Sequence, residues 1–207
     1  MFKPPLHLLF VLFVLASCSS EPGDGYGYRP YYFESFFKMS NLRVFPSSES
    51  EREVEWEFLW NSDIPREEFD DIRKELGDIY SFCHGDAFPC LSACVNDFSS
   101  VTMTSDAEYE GIAGGESLNS VIVFVYRTCL PWVKNKYCDE DGIKVDVPII
   151  SEVETPLDAL NPKDLDGCLG DGKLVFPSTP AKGQLFKIVF SGGDKTVSKT
   201  FCLVPES

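Results

Sequence analysis

Residues 53–60 alternate strictly. Val54, Trp56, Phe58 and Trp60 fall on one parity, and Glu53, Glu55 and Glu57 on the other. A period of two places each set on its own face of a β-strand, whereas a helix would spread the glutamates around its axis. The segment is therefore a half-buried strand with a charged outer face, and both Trp56 and Trp60 are assigned to the core. Such a strand needs a second apolar layer against its inner face, which a sheet-on-sheet architecture supplies.

Further strands are expected at 31–45, 98–104, 118–129, 143–149, 173–176, 184–190 and 196–204, each bounded by turn-forming residues. The last two flank Ser191-Gly192-Gly193-Asp194, a strong hairpin signal. Val121 to Tyr126 is apolar at both parities, so that strand should be buried on both faces. One segment has helical spacing instead: Asp63 is a suitable N-cap, Pro65 fits the first turn, and Glu67 and Glu68 suit the positive end of the dipole. Phe69, Ile72, Leu76, Ile79, Tyr80 and Cys83 then form an apolar stripe interrupted only by Gly77. This predicts one amphipathic helix over about 64–83, packed on the outer face of the sheet that holds 121–126. Many short strands without βαβ alternation predict a mainly β chain folded as a β-sandwich. Phe176-Pro177 followed by Gly183 to Phe190 resembles the closing strands of an immunoglobulin-like domain. That resemblance implies an immunoglobulin-like β-sandwich, taken as a single domain over residues 31–207.

The chain of 207 residues carries 18 basic and 33 acidic side chains, a net charge of −15. With no clustered Lys and Arg to attract phosphate, nucleic acid is excluded as a general partner. Hydrophobic residues at 43% and charged residues at 25% exclude disorder as a description of the whole.

The first residues suggest an address. Lys3 precedes an apolar run from Leu6 to Ala16, too short to span a bilayer and of the length of a signal-peptide core. The run ends in Leu15-Ala16-Ser17-Cys18. This tetrapeptide resembles the lipobox of bacterial cell-envelope lipoproteins at all four positions. The resemblance implies that residues 1–17 are a signal peptide and that Cys18 becomes the lipidated N-terminus, with the membrane as a partner through its acyl chains. Ser19 in place of Asp implies the outer membrane, with the body facing the periplasm or the surface. Residues 18–30, rich in Gly and Pro, read as a flexible tether.

Seven more cysteines follow, at 83, 90, 94, 129, 138, 168 and 202. An exported chain meets an oxidising compartment, so disulfides are expected, with at least one thiol left over. Cys129 and Cys138 bracket a short loop and are positioned to staple it. Cys83, Cys90 and Cys94 crowd one stretch and should supply another bond, and Cys168 with Cys202 is a long-range candidate. Zinc is disfavoured because Cys83-His84, Cys90 and Cys94 lack ligand spacing. His84 is the only histidine after the signal, and no Gly-x-Ser-x-Gly elbow is present, so no catalytic residue, cofactor or metal site is assigned. Asp139-Glu140-Asp141-Gly142 and Asp164-Leu165-Asp166-Gly167 offer hard oxygens but do not complete a calcium loop, and Asp-Gly is also a plain turn signal.

The sharpest binding candidate is Trp132. On a loop closed by Cys129 and Cys138 its ring would stand out as a rigid anchor for a protein or glycan ligand; the alternative is that it tucks under its own loop. The expected function is thus a non-enzymatic binding or structural lipoprotein of the envelope, with a glycan-binding surface lipoprotein as the alternative and a hydrolase behind it.

Overall fold

The structure, a computed structural model, describes residues 33–61, 64–78, 91–143 and 148–205. The lipobox with Cys18, the tether, the Asp63 cap, and Cys83, His84 and Cys90 lie outside the described residues.

The alternating segment is strand β2 (Glu53–Asn61), paired antiparallel with β1 (Phe33–Pro46) on one side and β7 (Cys168–Val175) on the other. With β3 (Leu91–Cys94), β5 (Val123–Thr128) and β6 (Ser151–Pro156) these form a six-stranded sheet in the order β3-β1-β2-β7-β5-β6. The β1–β3 pairing is parallel. A second sheet carries β4 (Ser100–Ser105), β8 (Gln184–Gly192) and β9 (Lys195–Leu203) in the order β4-β8-β9. The expected hairpin joins β8 to β9, with Gly192 opposite Lys195. The result is the mainly β, two-sheet sandwich with a small helix that the pattern of strands predicts.

Aromatic residues fill the space between the sheets. Trp56 stacks on Phe124 at 4.8 Å, and Phe58 meets Phe190 edge-on at 5.6 Å. Trp56 also crosses the backbone of β7. Its indole N–H donates to the Val125 carbonyl at 3.2 Å, and the crossing point is Gly172, where an added Cβ would lie 2.0 Å from that same oxygen. Only glycine leaves room for the ring there. Along the outer edge of β4, next to a backbone bridge between Thr104 and Ser117, the Asn119 side chain imitates a strand: its carbonyl accepts from the Met103 N–H at 2.9 Å and its amide donates to the Val101 carbonyl at 2.8 Å.

Several expectations need correction. Trp60 is 47% exposed rather than core. It lies at the end of β2, where the ring stacks on Phe37 at 4.4 Å and leaves its far side to solvent. The helix is shorter than expected. A 3-10 turn over Arg66–Glu68 leads into α1 (Phe69–Leu76), which ends at Gly77 in the left-handed conformation, φ +82°, its N–H returning to the Arg73 and Lys74 carbonyls. Gly77 is a C-cap, and the expected helical positions 79–83 lie outside the described residues. The helix does pack on the outer face of the six-stranded sheet, as expected, where it lies over the start of β1: Phe69 packs edge-on against Phe36 at 5.4 Å. The strand expected at 143–149 is not formed at 143 or at 148–150; β6 begins at Ser151. Its neighbour β5 is buried on both faces as expected, with Phe124, Val125 and Tyr126 all covered.

Candidate functional site

The loop that carries Trp132 is built differently from a stapled hairpin. Residues Leu130–Lys134 form a single helical turn, α2, with Pro131 in its first turn. One turn of helix rotates Trp132 and Val133 to the same side, and Lys136 and Tyr137, both at positive φ (58° and 62°), fold the chain back so that Tyr137 joins them. Trp132 is 3% exposed and meets Tyr137 edge-on at 5.0 Å. It is a core residue, so the displayed-anchor reading is replaced by the tucked one, and the glycan alternative loses the aromatic that suggested it.

These side chains belong to a second apolar cluster on the outer face of the six-stranded sheet, made with Phe33, Phe36, Ala93 and Leu76. Phe33 and Phe36 differ in parity. They share this face because the β1–β3 register slips between Phe33 and Ser35. Both Phe33 backbone groups are met by side chains from α1 and the residues just after it. The buried Asp78 carboxylate, just after Gly77, accepts the Phe33 N–H at 3.0 Å and the Tyr137 hydroxyl through its other oxygen. Arg73 donates to the Phe33 carbonyl through Nε at 3.1 Å and Nη2 at 2.9 Å, with its guanidinium against the Phe36 and Phe69 rings. The sequence reading missed Arg73 and Asp78 because their partners, Phe33 on β1 and Tyr137 just after α2, are far off in the chain.

Elsewhere that outer face carries paired charges. Glu57 pairs with Arg43 at 3.3 Å, Glu53 with Lys173 at 3.4 Å, and Asp171 with Arg127. The Asp171 contact raises the Arg127 pKa, and Lys173 is likewise raised by Glu53, against the opposing effect of burial. The glutamates of β2 thus face outward as expected, inside a lattice of alternating charge.

No disulfide joins any two of the five described cysteines, 94, 129, 138, 168 and 202. The Cys129–Cys138 staple is not formed: Cys129 is buried, while the turn at 135–138 leaves Cys138 half-exposed with its thiol toward the Lys136 carbonyl at 3.7 Å. Cys168 and Cys202 are not brought together either. Cys168 lies in the core at the start of β7, and Cys202 is exposed on β9, opposite Leu185. Instead Cys168 meets Cys94, whose thiol is pushed well above its ordinary range by the Cys168 side-chain hydrogen bond first and by burial second.

The acidic loops serve their own chain. Asp139 Oδ1 accepts the N–H groups of Asp141 at 3.0 Å and Ile143 at 2.8 Å, closing a turn. Asp166 Oδ1 accepts the Asn96 backbone N–H and side-chain amide, each at 2.8 Å, and burial raises the pKa of its carboxyl. Among the described residues no three metal-ligating side chains cluster.

A cleft of about 680 Å³ opens between β1, the segment before α1 and the β8–β9 hairpin. Met39, Ile64 and Val197 contribute its apolar lining, with Lys38 and Lys195 set against Glu68 and Asp194. Lys38 is engaged by Asp97 at 3.0 Å and holds that carboxyl below the usual carboxylate range. The Ser40 hydroxyl donates to the Leu59 carbonyl at 2.9 Å. The chemistry this lining offers is recognition by balanced charge and apolar contact. Sequence analysis singled out the hairpin but not this cleft, since β1 and β9 meet only in the folded chain.

No protein family, curated protein or solved structure matches the chain.

Proposed function

We propose that the protein is a lipoprotein of the bacterial outer membrane, held by acyl chains on Cys18 and acting as a non-enzymatic binding or structural module of the cell envelope. The observation that carries this reading is Leu15-Ala16-Ser17-Cys18 directly after an apolar run of signal-peptide length. The physics of anchoring supports it. Each buried methylene contributes about 0.8 kcal/mol; one chain binds reversibly and two hold stably. Fifteen positions separate Cys18 from Phe33, the first described residue, and a chain of that length reaches at most about 54 Å. The sandwich therefore works close to the bilayer it is tied to. Among the described residues no helix is long and apolar enough to cross a membrane.

Membrane fractionation of the wild type against Cys18→Ala tests the proposal. The wild type should sediment with outer-membrane vesicles and the variant should appear in the soluble fraction. Retention of both to the same extent would overturn lipid anchoring.

A further inference from the structure

In the six-stranded sheet β3 and β7 are separated by β1 and β2, yet the sheet curls until they meet. The Gly167 N–H, one residue before β7, donates to the Cys94 carbonyl at 2.7 Å at the end of β3. Beyond that rung Asn96 fastens the seam, its amide donating to Asp166 Oδ1 at 2.8 Å and to the Pro162 carbonyl at 3.0 Å. Cys94 and Cys168 flank this crossing. Both are 0% exposed and lie in the same core cluster, and Cys168 has the largest influence on the Cys94 thiol. A single backbone rung brings the two chains to ladder spacing, about 5 Å, which is also the usual separation of bridged cysteines.

We propose that Cys94 and Cys168 form a disulfide that closes the curled end of the six-stranded sheet. In the folded chain both sulfurs are shielded from solvent, so the bond forms during folding, before the seam shuts. The thiolate of one cysteine attacks the disulfide of an oxidant, giving a mixed disulfide and releasing one oxidant thiol. The second thiolate then displaces the other oxidant thiol. Two protein thiols become one disulfide, and the oxidant takes up the two electrons and two protons as a pair of thiols. The envelope location proposed above supplies an oxidant of this class, and to that extent the inference rests on that reading. The chemistry itself can be tested without the cell.

The full chain, reduced and unfolded, is refolded with a glutathione disulfide mixture, alkylated in denaturant and digested without reduction. The expected product is a cross-linked peptide joining Cys94 to Cys168, absent from Cys94→Ala. Alkylated Cys94 and Cys168 as the main species, or Cys94 cross-linked to Cys83 or Cys90, would overturn the pairing. Closing a loop of this length should raise the melting temperature of the oxidised wild type above the reduced, refolded wild type by roughly 10 °C. In the double variant Cys94→Ala/Cys168→Ala that redox-dependent shift should fall by at least half; an undiminished shift would overturn the proposal. Cys18→Ala should leave the cross-link intact, so failure of the anchor and failure of the bond are read separately.

Discussion

The outer face of the six-stranded sheet is divided between two treatments. At one end Phe33, Phe36 and Ala93 lie under α1 and α2 and form a closed second core. At the other, Glu53, Glu57, Asp171, Arg43, Arg127 and Lys173 face outward as a lattice of paired charges. Both ends share one backbone architecture, and the side chains decide the covering. Two phenylalanines brought to one face by a register slip must be removed from water, which at about 25 cal/mol per Å² of apolar surface justifies ordering two helical segments. Glutamates at alternate positions would be expensive to cover.

The largest test of this division is Trp132→Ala. With the ring buried against Tyr137 and Val133, truncation should destabilise by about 3–5 kcal/mol in denaturant unfolding. A loss under about 0.5 kcal/mol would mean that the ring is exposed in solution and that the second core is not closed.

How far this division could be read in advance depended on how local each signal was. The faces of Val54, Trp56 and Phe58 followed from a period of two, which needs only neighbouring residues. Trp60 kept that parity and still came out exposed, because parity does not report where the layer beneath a strand ends. β3 was missed: four residues, Leu91 to Cys94, take their conformation from a parallel pairing with β1 more than fifty positions earlier. Trp132 was ambiguous because one turn of helix sets its direction, and the signal for that turn, Pro131, fits a loop equally well. The meeting of Cys94 with Cys168 was not legible, since it arises from sheet curl across two intervening strands. What was legible of the candidate site was the β8–β9 hairpin on one wall of the cleft; the opposing wall belongs to β1.

An intermediate effect is expected where the helix is fastened to the sheet. Arg73 gives two hydrogen bonds to the Phe33 carbonyl and lies over two aromatic rings. Arg73→Met keeps much of the stem and removes the donors, leaving that carbonyl without the guanidinium. Hydrogen bonds from charged groups contribute about 1.5–3 kcal/mol, and a loss in that range is expected. Hydrogen exchange should show it as faster opening of α1 and the first residues of β1, with β8 and β9 little changed. Uniform acceleration over all strands would mean that the second core is not a separate unit from the sandwich.

The smallest effect belongs to the charged end. Arg43 and Glu57 pair at 3.3 Å with side chains 59% and 38% exposed. Two long side chains held together in water gain little, because the solvent screens their attraction and both lose rotamer freedom. Exposed pairs of this kind contribute about 0.2–1 kcal/mol. Arg43→Ala should therefore lower stability by less than about 1 kcal/mol, and the loss should shrink as salt is raised, the Debye length falling to about 3 Å at 1 M. The salt series separates two pictures of this face. A small, salt-sensitive loss places the lattice in water, which is what leaves it uncovered while the phenylalanines at the other end are roofed. A loss above about 2 kcal/mol that persists at high salt would place the pair in a water-poor environment, and the contrast between the two ends would then have to be redrawn.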